Sequence, residues 1–479
     1  MDVILVASEA PNDNANIHNG LSVIEQALRE NGIKPILKHI SKFNPNNLRK
    51  DSIIGFSSYY ESLDEVIKKA EETKKSGNHF VVIGGPGTYH IETNKELLNT
   101  GLFDALNMGH ASPFIELVKY KHGNKTSPLD KIAIDKGLAT KNHQVFTEGA
   151  FPDINNYPLR RYIQGGRVRI TIPPMSNCPN LCDYCIESTI RVPDVTEKIM
   201  AAIIENQRTK KFDLITFSSP TFNKPNINHA KKILSVVNGR PETGFYLDSY
   251  QLVNNMKETI AQLDDFNATH VYIGLNAINN RSAKYIGRKI GDTVRTNIES
   301  EKVAVIEFLK AKRNVSVKEK YLVSVMLSKA EDRKGILDVI HFLNNLVSVS
   351  LYNDKHISIQ LIHTIPYPGT VYAHNHGDDY IFNSKKDYAF TLAAKRCSYN
   401  NKNSEFLARS LRGAYHLNTA KSKLAMIMGI NDLIWAYEQT YDGKMHTLVY
   451  NHRSFRRIMS LEKKFILDPE SMYKSPNRK

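Results

Sequence analysis

The chain of 479 residues is 41% hydrophobic and 24% charged, carries a formal net charge of +15, and contains four cysteines. This is the composition of folded globular protein rather than of a disordered chain. Four cysteines at this length exclude a disulfide-stapled secreted scaffold, and at ~150 residues per domain the length suggests about three domains.

No apolar run approaches the ~20 residues of a membrane-spanning helix. The opening Met1-Asp2-Val3-Ile4-Leu5-Val6 reads as a core strand rather than a secretory leader, so a cytoplasmic setting is expected. The positive charge raises the question of a nucleic-acid partner. Lysine is spread along the whole chain, however, and Arg453, Arg456 and Arg457 form the densest basic group, so a basic solvated surface is the favoured reading.

Residues 1–122 alternate between strand and helix patterns. Strands are predicted over 1–7, 53–56, 80–83 and 104–108, and helices over 21–30, 63–75 and 113–120, with Leu21, Ile24 and Leu28 on one face of the first helix. Strands separated by helices of this length predict a parallel, doubly wound α/β sheet. Ligands of such sheets gather at the strand carboxyl ends, near the switch in strand order. The third strand ends in Gly84-Gly85-Pro86-Gly87, where absent side chains let backbone approach a ligand closely.

Residues 123–165 lack sustained periodicity and contain several prolines and glycines, which predicts a linker between domains. A second α/β series follows over 166–375. Its strands are predicted at 167–172, 214–217, 244–247, 270–274, within 315–327 and at 358–363, with helices at 195–207, 228–237, 253–263, 300–312 and 336–347. Residues 376–479 read as mainly helical, over 386–398, 404–411, 419–441 and 452–465. There Leu424, Ile427, Ile430 and Ile434 recur at core spacing, Cys397 reads as a buried structural thiol, and Trp435 is assigned to packing.

Just after the first strand of the second series stand Cys178-Pro-Asn-Leu-Cys182-Asp-Tyr-Cys185. Three thiolates this close can hold three irons of a [4Fe-4S] cluster and leave the fourth iron open to a small molecule. Structural zinc sites close with four ligands and often use two cysteine pairs, which this chain lacks.

Cys-x3-Cys-x2-Cys with Tyr184 before the last cysteine resembles the signature loop of the radical S-adenosylmethionine (SAM) superfamily. The resemblance implies a partial (β/α)6 barrel. It also implies that SAM binds the open iron and that its sulfonium is cleaved to a 5'-deoxyadenosyl radical, so that the cofactor supplies the reactivity and the protein the position. Tyr184 would lie against the adenine through backbone contacts, and Ser218, Asp248 and Asn276 would contact SAM at the ends of the second, third and fourth barrel strands. Tyr272-Ile273-Gly274-Leu275-Asn276 resembles a Gly-Leu-Glu-Ser stretch, with Asn276 in place of the carboxylate, and Pro366-Tyr367-Pro368-Gly369-Thr370 follows the sixth strand as in the family.

The first 122 residues resemble the flavodoxin-like cobalamin-binding domain that precedes many such barrels, which implies that Ser57, Ser58, Gly84, Gly85 and Gly87 lie near the cobalamin. His18 reads as a loop residue, because the histidine motif that ligates cobalt is not met. Together these likenesses imply methylation of an unactivated carbon by way of the 5'-deoxyadenosyl radical and methylcobalamin. The expected partners are an electron donor such as flavodoxin or ferredoxin and an unidentified small-molecule, peptide or lipid substrate. The alternatives are rearrangement or cyclisation without methyl transfer, RNA modification, and a degenerate cobalamin- or SAM-sensing protein.

Overall fold

The computed structural model describes residues 1–8, 19–59, 62–85, 88, 91–107, 112–123, 138–140, 162–164, 167–172, 178–185, 194, 196–208, 211–219, 221–312, 319–353, 356–367, 370–377, 406, 410, 417 and 423–441. Its strands form two large sheets and one small hairpin.

The first sheet contains β1 (Val3–Ala7), β2 (Ile36–His39), β3 (Ile53–Ser57), β4 (Phe80–Gly84), β5 (Ala105–Asn107) and β6 (Leu138–Thr140), in the order β2-β1-β3-β4-β5-β6. The first five are parallel and β6 runs antiparallel to β5. Every residue of β1 is buried, as expected of a parallel strand covered on both faces. Leu5, Ile53 and Val82 pack on Leu21 and Leu28 of α1 (Asn19–Glu30) and on Phe114 and Leu117 of α4 (Ser112–Lys121). Their neighbours Val6, Ile54 and Ile83 pack on Leu63 and Val66 of α2 (Leu63–Ser76) and on Leu97 and Leu98 of α3 (Ile91–Asn99). Helices therefore cover both faces, which is the doubly wound arrangement expected from the sequence.

The second sheet contains β7 (Tyr162–Gln164), β8 (Arg167–Ile172), β9 (Leu214–Phe217), β10 (Glu242–Asp248), β11 (Ala268–Gly274), β14 (Lys320–Leu327) and β15 (His356–His363). The hairpin is β12 (Lys289–Ile290) with β13 (Thr293–Val294). Six strands from β8 to β15 are parallel and lie in sequential order, with β7 antiparallel on the edge. Right-handed crossovers in unbroken sequence put every helix on the same face.

That face carries Ile170, Ile215, Phe245, Leu247, Val271, Ile273, Val323 and Ile359, packed on α5 (Thr196–Gln207), α6 (Lys224–Ser235), α7 (Ser249–Asp265), α9 (Ile298–Ala311) and α10 (Arg333–Asn353). The opposite face of the sheet carries Thr216, Gly244, Tyr246, His270, Tyr272 and Ser324. Two short helices, α8 (Asn280–Tyr285) and α11 (Val371–His376), lie beside the strand ends.

The segment read as a linker supplies both antiparallel edge strands, β6 and β7. Each has three residues, too few to leave a periodic signal. β2 also escaped the sequence reading, since it is four residues long and carries its exposed Ile36 on the edge next to Lys38.

In α12 (Lys423–Tyr441), Met426, Ile430, Leu433 and Tyr437 are buried on one stripe, and the Tyr437 hydroxyl accepts from Arg333 Nε of α10 at 2.8 Å. Trp435 corrects the packing assignment: it falls on the opposite arc of α12 and is 53% exposed. Cys397, His18, Gly87 and the helices expected over 386–398 and 452–465 lie outside the described residues. Among the described residues no helix is long and apolar enough to cross a membrane.

Candidate active site

The carboxyl ends of β8 to β11 converge on the cysteine loop. Cys178 and Cys185 are half-buried and Cys182 is 6% exposed. A backbone turn, Cys185 N–H to the Cys182 carbonyl at 3.1 Å, closes the second half of the loop. Three thiols are the donor set that iron–sulfur clusters take. Among the described residues no three His, Cys, Asp or Glu side chains converge as a single-ion site would need.

The loop is strapped down by the segment that follows α8. Asp183 N–H donates to the Gly287 carbonyl at 2.9 Å, Lys289 Nζ pairs with Asp183 Oδ1 at 2.6 Å, and Asn180 forms a β-bridge with Gly291. From the other side Tyr372 N–H donates to the Asp183 carbonyl at 2.8 Å. Lys289 N–H also donates to Cys182 Sγ at 3.3 Å. Burial pushes the Cys182 thiol up, while that amide and the nearby Arg295 pull the other way.

At Gly287 the backbone has φ +61°, and a Cβ there would collide with the Asp183 carboxylate. Only glycine combines that left-handed turn with so close an approach.

Beneath the strap lies a buried ionic group. Arg295 donates two hydrogen bonds to Asp248, Nη1 to Oδ1 at 2.5 Å and Nη2 to Oδ2 at 2.6 Å. Arg288 Nη2 lies 2.8 Å from Glu301 Oε2 of α9 and 3.2 Å from Asp248 Oδ1. It also donates to Ser249 Oγ at 2.9 Å, and that hydroxyl in turn donates to Glu301 at 2.5 Å. Two cations thus meet two carboxylates with almost no solvent, since Arg288 is 0% exposed. The bidentate Arg295–Asp248 pair offsets part of the cost of burying these charges. Burial pushes the Asp248 carboxyl up, but Arg288 and Arg295 outweigh it and hold the group below its ordinary 3.8.

Among the described residues, Arg288 Nε and Nη1 nevertheless remain buried without a hydrogen-bond partner. Orphaned guanidinium donors near the Cys182 thiol suit an anionic group at this position.

The expected SAM contacts sit around this centre. Asp248 closes β10 and caps α7 through the Tyr250 amide at 3.0 Å. With Arg288, Arg295, Tyr250 and Asn180 on its two oxygens, it is engaged by protein groups. Asn276, just past β11, adopts φ +55°, a conformation asparagine tolerates, and stacks its amide on Gly274. Ser218, just past β9, turns its hydroxyl back to the Ile172 carbonyl at 2.7 Å. Tyr184 packs beside Ala277, Ile286 and Tyr372, and burial raises its phenol well above its ordinary range. His363 ends β15 on the helix-facing side, where burial lowers its pKa to about 4 and keeps the ring neutral.

The sequence reading missed Arg288, Lys289, Arg295 and Glu301. One signal was available: Gly291-Asp292 between Ile290 and Thr293 is a two-residue hairpin signature.

A second cradle lies at the carboxyl edge of the first sheet. The switch in strand order falls between the paired strands β1 and β3, because β2 lies beyond β1 on one side and β4 beyond β3 on the other. Gly85 has φ +92°, and a Cβ on it would meet the Ser58 carbonyl at 2.8 Å and Ser57 Oγ at 2.9 Å. Ser58 Oγ is buried and has no hydrogen-bond partner among the described residues. A Cβ on Gly84 would meet the Asn107 carbonyl at 2.8 Å. The expected Ser57, Ser58, Gly84 and Gly85 are therefore gathered at one edge.

No family model and no curated protein matches the sequence. Solved structures do match in shape. The radical S-adenosylmethionine methyltransferase TsrM from Kitasatospora setae, with tryptophan substrate and a SAM analogue bound, aligns with a TM-score of 0.61 at 11% identity over 97% of this chain and 100% of that one. The same enzyme with cobalamin and a [4Fe-4S] cluster bound aligns at 0.54 and 12% identity over 77% of each chain. The chain has the fold of a cobalamin-binding radical SAM methyltransferase.

Proposed function

We propose that the chain is a methyltransferase that uses a [4Fe-4S] cluster, SAM and cobalamin to methylate a carbon of a small-molecule acceptor by a radical route. The observation that carries this reading is the strapped cysteine loop above Arg288, whose orphaned buried donors await an anionic group in a fold shared with TsrM along nearly its whole length. When bound, the cluster supplies the electron that cleaves SAM, and cobalamin supplies the methyl carrier.

Cys178, Cys182 and Cys185 hold the cluster, with the Lys289 amide hydrogen-bonded to the most buried sulfur. Hydrogen bonds to cluster sulfur are one of the means by which a protein sets the cluster potential. Ser218, Asn276 and the Tyr184 backbone offer polar contacts to SAM, while Asp248 acts as a positioning residue by fixing Arg288 and Arg295. Ser57, Ser58, Gly84 and Gly85 line the cobalamin side, with the Ser58 hydroxyl as an available donor. A reduced flavodoxin or ferredoxin would supply electrons.

The test is anaerobic turnover of reconstituted protein with SAM, reductant and tryptophan, the molecule bound by TsrM, alongside a panel of small acceptors. A product heavier by one methyl group, with release of 5'-deoxyadenosine, is expected. A product of unchanged mass would replace methyl transfer with rearrangement. Intact SAM under strong reduction would leave a binding protein.

A further inference from the structure

One edge of the first sheet lies outside the groups assigned to the cofactors. Among the described residues β2 is the terminal strand, and its ladder is with β1 alone, through Ile4 with Ile36, Leu5 with Leu37 and Val6 with Lys38. Alternate residues of such a strand turn their backbone N–H and C=O groups outward. Among the described residues no further backbone bond reaches Ile36, Leu37 or Lys38.

Register partners share a face of the sheet. Ile4 and Val6 pack toward α2 and α3, so Ile36 and Lys38 stand on that face, while Leu37 follows Leu5 toward α1. The helix layer that buries Ile4 and Val6 does not extend over the edge: Ile36 is 43% exposed and Lys38 is exposed. Lys34 is exposed as well, and Pro35 after it holds the chain extended as it enters the strand. Lys34, Ile36 and Lys38 therefore recur at every second residue, with the two lysines about 13 Å apart at the usual strand rise.

The charge along this edge has one sign. Residues 31–50 contain Lys34, Lys38, Lys42, Arg49 and Lys50 and no Asp or Glu. Arg49 pairs with Asp2 at 3.7 Å. Among the described residues the four lysines pair with no carboxylate. Edge lysines guard a strand against pairing with a neutral or basic chain, and the same lysines select an acidic one.

We propose that β2 is a docking edge for an extended acidic segment of a partner protein. The segment adds a strand beyond β2, with Asp or Glu across from Lys34 and Lys38 and an apolar residue across from Ile36. Backbone bonds to the edge supply affinity, and side chains at alternate positions supply selection. Opposite charges across paired strands attract and like charges repel, which fixes the register. No step of the methyl-transfer reading enters this assignment.

The test is fluorescence anisotropy of the full chain with a labelled peptide, Thr-Glu-Thr-Val-Thr-Glu-Thr, beside its isomer Thr-Thr-Val-Glu-Glu-Thr-Thr. We expect the alternating peptide to bind at least tenfold tighter. Two N-methylated versions, one blocked at the odd and one at the even residues, should differ, because only one set of N–H groups faces β2. The double variant Lys34→Glu with Lys38→Glu should lose the acidic peptide and bind Thr-Lys-Thr-Val-Thr-Lys-Thr instead, which also shows that it is folded. Equal binding of the two isomers, equal behaviour of the two N-methylated forms, or no response to charge reversal would overturn the proposal. Tighter binding of a uridine oligonucleotide, lost in the same double variant, would overturn it by giving the edge to nucleic acid.

Discussion

Asp248 gathers more of the site than any other described side chain. It ends a strand, caps a helix, holds Asn180 of the cysteine loop and neutralises two guanidiniums, each at most 2% exposed on its side chain. Removing one charge from such a group leaves a buried cation uncompensated, which costs about 3–5 kcal/mol. Asp248→Asn should lower the unfolding free energy by that amount in urea titrations. The pH dependence follows from the depressed carboxyl. The native protein binds this proton less tightly than the unfolded chain, so the stabilisation is complete above the ordinary carboxylate range and is lost as pH falls through the native value. Asp248→Asn should flatten the acid limb of the stability curve. An unchanged limb would exclude the carboxylate from the network in solution.

The hairpin of β12 and β13 shows how an element too small to contribute a core can still govern a site. Its two strands have two residues each, and its anchorage comes from Gly287, Lys289 and the flanking Arg288 and Arg295. Gly287 and Gly291 both have positive φ, +61° and +56°. A Cβ at Gly291 would meet nothing within 4 Å, whereas one at Gly287 would strike Asp183 of the cysteine loop. Gly291→Ala should therefore cost only the left-handed backbone penalty, about 1 kcal/mol. Gly287→Ala should in addition push the loop away and speed iron loss to a chelator several-fold. Equal rates in the two variants would show that the hairpin does not hold the loop.

At the scale of the molecule, two parallel sheets each present a carboxyl edge with its own donors. The first edge offers Gly85 and Ser58, and the second the three thiols, so cofactor loading should be separable. Cys182→Ala should collapse iron content while cobalamin uptake persists. Gly85→Ala, which puts a methyl group within 2.9 Å of Ser57 and Ser58 atoms, should do the reverse. Iron and cobalt quantification after anaerobic reconstitution reads both, and joint loss in either variant would show that the two edges are not independent. The build of the two sheets also explains why a match in shape spans nearly the whole chain while identity stays at 11%. Strand order and helix coverage depend on apolar pattern, which many sequences satisfy.

The amino-acid order by itself determined the features that are local. Three cysteines within eight residues declare their own chemistry, and the long buried strands of both sheets announce themselves through continuous apolar runs such as Val3-Ile4-Leu5-Val6. Gly84-Gly85 was legible for the same reason, as a loop at a strand end. Tertiary structure decided what depends on distant partners. Arg288 and Arg295 read as two more cations in a basic chain until β10 and α9 bring Asp248 and Glu301 to them across gaps of 40 and 47 residues in one direction and six to thirteen in the other. Which face Tyr246 occupies was likewise settled by the helices covering Phe245 and Leu247, and Trp435 was turned outward by the stripe that α12 buries. A charge or a ring carries no label of its surroundings. Its burial is a property of the neighbours that folding supplies.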